Sequence, residues 1–194
     1  MAKSDPSSQK KEKMKAIRWV VTIFFVTIIV SGTISMISDE IMAKSSMVVA
    51  FLILLAIVLL GIVFDIIGVA VTSADEKPFH SMAARKVPGA QEAIALLRNA
   101  ERVSSICNDV VGDICGVVSG SASATIAAQI LQNFEFTWPQ VVSLLMSALV
   151  AGLTVGGKAI GKGIAIGSCT DIVHIAGKIV FQVSRIFSFW KKKK

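Results

Sequence analysis

Asp75, Asn108, Asp109 and Asp113, with Asp65 as a fifth contributor, are hard oxygen donors in or beside long apolar stretches of a chain that is only 17% charged. Such donors suit magnesium, which takes carboxylates and keeps several of its waters. Asp109 and Asp113 are four residues apart and share one helix face. Lys158 stands in another apolar stretch. It supports a competing reading, an internal ion-pair cluster, because buried charges pair. Its expected partner is Asp113 or Asp109, with Asp75 as the other candidate. The two readings join if the tethered ammonium occupies the place of a cation.

Other chemistry is sparse. There is no Tyr, and His80 and His174 lack a second His or Cys at ligand spacing, so both are expected to be solvated or interfacial. Cys107, Cys115 and Cys169 have no CxxC spacing and are expected to be small buried apolar groups. No Ser/His/Asp arrangement, H-E-x-x-H or phosphate-binding glycine loop is present, so the chain is not expected to be an enzyme. No cofactor is expected beyond magnesium as a bound or transported ion.

The elements that must position these residues follow from hydropathy. The 194 residues are 54% hydrophobic with a mean hydropathy of +0.71, and the apolar residues come in blocks. A bilayer core needs about 20 apolar residues of helix. Four segments qualify: Ile17–Ile37, Met47–Val71, Val103–Leu131 and Val141–Ile166. A soluble globular enzyme is excluded. The expected fold is an all-α integral membrane bundle of four spanning helices.

The net charge of +7 fixes the expected orientation. Of the 20 Lys and Arg, only Lys44 falls on the outer side when the N-terminus is inside, and none lies in the Gln132–Gln140 loop. The positive-inside rule then predicts a multi-pass protein of the cell membrane with both termini cytoplasmic. A cleaved signal peptide is the alternative for the N-terminus, but Ser31–Ser38 offers no A-x-A site. The basic ends read as contacts to anionic headgroups, because no aromatics interleave the N-terminal lysines as a nucleic-acid platform needs.

Between the second and third spans, Ser73–Glu101 predicts a cytoplasmic helical hairpin. Pro78 belongs in a first turn, so a helix should start near Asp75, with Asp75 as N-cap and Glu76 at the positive helix end. Pro88–Gly89 breaks the chain before a short helix over 90–100. In the third span Gly112, Gly116, Gly120, Ala124 and Ala128 recur every four residues and predict a close helix–helix seam, with the acids flanking it. Asp171–Trp190 carries a narrow polar stripe and a wide apolar face. It predicts an amphipathic interfacial helix anchored by Phe187, Phe189 and Trp190, with Lys191–Lys194 against headgroups.

Three motifs carry a family resemblance. Ala74-Asp75-Glu76-Lys77-Pro78-Phe79-His80-Ser81-Met82 resembles the S-E-T-A-[FL]-x-S-L signature of the CNNM/CorC transmembrane domain. Asn99-Ala100-Glu101-Arg102 is similar to the family's xPER, and Gly157-Lys158-Ala159-Ile160-Gly161-Lys162 to its G-E-[IL]-x-P-K. The resemblance covers 46–190. It leaves 1–15 as a basic N-terminus, 16–45 as an additional first helix with its outer loop, and 191–194 as a basic tail. It implies magnesium transport or efflux, a homodimer, and usually CBS-type domains, for which these residues leave no room. The family's metal-contacting Ser falls at Asp75, its Glu at Lys158 and its Pro at Gly161, while its Asn-rich stretch corresponds to Asn108 through Asp113. The expected function is therefore divalent-cation transport or homeostasis. The alternative is a non-transporting scaffold or regulatory subunit in which Lys158 replaces the cation.

Overall fold

The computed structural model describes residues 6–134 and 138–191. They are helical, with no strand among them. In chain order the helices are α1 (Pro6–Lys44), α2 (Met47–Ser73), α3 (Lys77–Ala84), α4 (Ala90–Arg98), α5 (Ala100–Ser105), a π-helical segment (Ile106–Gly112), α6 (Asp113–Asn133), α7 (Pro139–Gly167) and α8 (Cys169–Lys191). Four stretches are long and apolar enough to cross a bilayer: Ile17–Met42, Met47–Ser73, Ala100–Asn133 and Pro139–Gly167.

These boundaries match the sequence reading except at the first span. There the helix continues through Ser38-Asp39-Glu40, where a loop was expected, and ends only at Lys44. At 1.5 Å per residue α1 is about 58 Å long, well beyond the bilayer core. Its C-terminal end is held by long-range bonds. Asp39 accepts from Ser121 Oγ at 2.8 Å and from Thr125 Oγ1 at 3.2 Å, and Gln129 Nε2 donates to the Met42 carbonyl at 2.8 Å. These partners allow a charged residue to remain helical at the edge of an apolar span.

α2 is the central element, packed against α6, α7, the π segment and α8. Two apolar clusters lie along it. One joins Met42, Ala50, Leu54, Val58, Ala122, Ile126 and Val150. The other gathers Ala70, Val71, Phe79, Ala93, Leu97, Ala165 and Val173 from the spans, the hairpin and α8. Phe79 is fully buried there, and such a side chain contributes about 1.5–3 kcal/mol. The hairpin is therefore bolted to the bundle.

The hairpin forms as Pro78 and Pro88–Gly89 predict, although α3 starts at Lys77 instead of Asp75. Its N-cap is Glu76, not the expected Asp75, and it has no side-chain cap bond; Asp75 instead accepts from the Lys77 N–H at 3.2 Å. Glu76 holds the hairpin together, pairing with His80 at 3.2 Å and with Arg98 of α4 at 3.7 Å. Gly89 has φ +85°, in the left-handed region that favours glycine. A Cβ there would lie 2.6 Å from the Lys178 backbone nitrogen. α8 thus crosses the hairpin at near-backbone contact. The expected C-terminal amphipathic helix is present and is docked on one side. Val173, Ala176 and Gly177 are buried, while Ile175, Ile179, Val183 and Ile186 remain exposed as an apolar face. The side chains of Phe187, Phe189 and Trp190, and the tail 192–194, lie outside the described residues.

Candidate functional site

Asp65 interrupts the apolar run of α2 between the two clusters and is buried at 6% exposure. It lies about 12 Å of helix from the C-terminal end of α2, and Lys158 about 14 Å from the C-terminal end of α7. The two therefore meet at one depth. Lys158 Nζ is 3.5 Å from Asp65 Oδ1, with 23% and 8% of the respective side chains exposed. This corrects the expected pairing. The partner of Lys158 is Asp65, and not Asp113, Asp109 or Asp75.

The π segment explains why. Its wider turn is a common device at functional sites. It turns Asn108 onto α2, where a Cβ on Gly68 would collide with the Asn108 amide. It turns Gly112 onto α7, where a Cβ would lie 3.3 Å from Lys158 Nζ. One turn further out, a Cβ on Gly61 would stand 2.9 Å from that of Cys115. Glycines at 61, 68 and 112 let the three helices close around the Asp65–Lys158 pair.

Asp109 and Asp113 do share one face, but it is the exposed face of the third span. Asp109 accepts from Ser105 Oγ at 2.8 Å. Of the glycines in the expected seam, only Gly112 makes a close contact within the chain; a Cβ on Gly116 or Gly120 would meet nothing within 4 Å. On α7, Cβ atoms on Gly157 and Gly161 would press on Ile62 and Ile66 of α2.

The residues expected to bind metal are thus dispersed. Asp75 is exposed at the hairpin, Asn108 faces α2, and Asp109 and Asp113 face outward. Among the described residues no three His, Cys, Asp or Glu side chains converge as a metal site. What does converge is one carboxylate, one amide and one ammonium, which does not match the several carboxylates and waters that magnesium takes. Two acceptors in this cluster are buried without a partner, Asp65 Oδ2 and Asn108 Oδ1. Asn108 Nδ2 donates to Ser104 Oγ at 3.1 Å.

Cys107 and Cys115 are buried free thiols as expected, and Cys169 is half-buried. His80 is exposed, and His174 is half-buried with Nε2 inaccessible and unpartnered, so of the two expected settings, solvated or interfacial, it is not fully solvated. The polar ladder of Asp39, Ser121, Thr125 and Gln129 was missed. Its signal was available, since residues 121, 125 and 129 are polar at four-residue spacing in an apolar span.

Comparison with protein-family models, curated proteins and solved structures finds no match to this chain, so the site is read from its own residues.

Proposed function

We propose that the chain is a non-transporting membrane scaffold or regulatory subunit of the cell membrane, with both termini cytoplasmic, in which the Lys158 ammonium takes the place of a bound cation. The observation that carries this reading is the Asp65–Lys158 pair, buried at one depth between α2 and α7. An ammonium at 3.5 Å neutralises the one buried carboxylate of the cluster and repels a second cation. In the CNNM/CorC resemblance this position holds an acidic ligand, so the substitution reverses the sign of the site.

Divalent-cation transport remains the second reading, supported by the two unpartnered buried oxygens of Asp65 and Asn108. Magnesium flux into proteoliposomes separates the two. The scaffold reading expects dye-reported uptake equal to that of protein-free vesicles. Saturable uptake that Asp65→Asn abolishes would establish transport instead.

A further inference from the structure

A groove runs between α2 and α7. Its first stretch is lined by Val48, Phe51, Leu52 and Leu55 of α2 with Leu149 and Leu153 of α7, and has a volume of about 360 Å³. A second stretch, of about 480 Å³, shares Leu55, Val58 and Leu153 with the first and continues to Ile66 and Ile164. No polar side chain lines either stretch. From Val48 to Val58 the first stretch is about 15 Å long at 1.5 Å per residue. That is about half of a bilayer core, the depth that the acyl chains of one leaflet fill. An α-helix about 10–12 Å across would take more than about 1,000 Å³ over the same length. A partner span can therefore lie on this groove but not in it, whereas a single hydrocarbon chain enters.

Charge stands at the end of the groove. Lys44 closes α1, and Ser45 and Ser46 lead directly into α2, one turn ahead of Val48. The first helical bond of α2 runs from the Ala50 N–H to the Ser46 carbonyl, so the N–H groups of 47–49 precede it. Ser46 makes no side-chain cap bond and no acid stands in the first turn, which leaves the positive end of the helix uncompensated. Such an end takes up phosphate groups. Lys44 pairs with Glu40 at 2.7 Å and, at 74% side-chain exposure, keeps further N–H groups free. The ammonium suits a phosphate, and the carboxylate beside it suits a headgroup that also carries a positive charge.

We propose that this groove binds one zwitterionic phospholipid, with an acyl chain between α2 and α7 over 48–58 and the phosphate at the N-terminus of α2 beside Lys44. The groove by itself accepts any hydrocarbon, and the helix end by itself any anion. Their succession along α2 within one turn selects a molecule in which chain and phosphate are joined. The inference rests on the groove and its charged end, and does not depend on the function proposed above.

The test reads tryptophan quenching by brominated lipid in the full-length chain, with Trp19, Trp138 and Trp190 replaced by Phe. Leu52→Trp reports on the groove, and Leu145→Trp, exposed on α7 but outside the groove, reports on bulk lipid. The chain is held in alkyl maltoside micelles, which carry no phosphate. Dibrominated phosphatidylcholine should half-quench Leu52→Trp at a mole fraction at least about ten-fold below that needed for Leu145→Trp. Dibrominated diacylglycerol, with the same chains and no phosphate, should show no such preference, and Lys44→Glu added to Leu52→Trp should abolish it. Equal response of the two tryptophans overturns the proposal. So does a preference that survives in diacylglycerol or with Lys44→Glu, or equal quenching by dibrominated phosphatidylglycerol, whose headgroup is anionic. Should a tryptophan variant fail to fold, native mass spectrometry of the unaltered chain, released from micelles supplied with phosphatidylcholine, decides. One phosphatidylcholine retained per chain supports the site. None retained, or a protein held in its place, overturns it.

Discussion

Lys158 Nζ rests 3.5 Å from Asp65 Oδ1 where α7 crosses α2, and Gly112 of the third span closes over the same ammonium. The pair lies between two apolar clusters, so its charges compensate each other in a poorly hydrated interior. Removing one partner strands the other. Breaking a buried pair costs about 3–5 kcal/mol, whereas replacing both partners with apolar groups is often neutral or stabilising.

Lys158→Met alone should therefore lower the Tm in detergent strongly. Adding Asp65→Leu should recover most of the loss. A double-mutant cycle on thermal unfolding measures the coupling. Additive losses from the two substitutions would mean that Lys158 merely sits near Asp65 with its charge in water.

The glycines should behave oppositely according to what stands above them. Gly68→Ala would drive a methyl into the Asn108 amide at the π segment, and overpacking of this kind costs about 1–3 kcal/mol. Gly116→Ala meets open space, and as a helix-interior substitution it should gain up to about 1 kcal/mol. Chemical or thermal unfolding of the two variants in one detergent checks the contrast. A loss from Gly116→Ala equal to that from Gly68→Ala would contradict the open face.

Much of this arrangement was legible in the sequence, for local reasons. Span existence follows from hydropathy, and the hairpin from Pro78 and Pro88–Gly89, whose backbone limits act on their neighbours. The π segment had no comparably specific signal, because Ile106–Gly112 consists of weak helix formers, which do not by themselves specify an extra residue per turn. The expected pairing of Lys158 with Asp113 or Asp109 rested on two acids sharing one helix face, whereas in the structure Asn108 meets Gly68 and Gly112 meets Lys158. The end of the first span was misread for a related reason. Asp39 looked like a loop residue, yet its partners Ser121 and Thr125 lie 82 and 86 positions away.

That ladder gives a third expectation. Asp39→Leu should weaken the hold of α1 on α6 by about 1.5–3 kcal/mol, the range for hydrogen bonds to a charged group. Ser121→Ala and Thr125→Ala together should produce a similar loss and add little to Asp39→Leu, since both act on one set of bonds. Thermal unfolding of the three variants reads this directly. Fully additive losses would place the effect outside the ladder.

The last expectation concerns orientation, where the charge pattern supplies the argument. The turn between α6 and α7 is free of Lys and Arg, while the hairpin beneath α2 carries Lys77, Arg85, Lys86 and Arg98. Glu135, the natural place for a probe in the outer turn, lies outside the described residues, so Gln140 in the first turn of α7 serves instead. It is exposed, as is Gln91 at the start of α4. A single added thiol at Gln140 should react with a membrane-impermeant maleimide on intact cells, and one at Gln91 only after permeabilisation. Cys107 and Cys115 are buried but Cys169 is only half-buried, so the probes are placed in a variant without native cysteines. Labelling of Gln91→Cys on intact cells, with Gln140→Cys protected, would invert the topology. It would place most of the +7 charge on the outer face, against the bias that normally orients membrane helices.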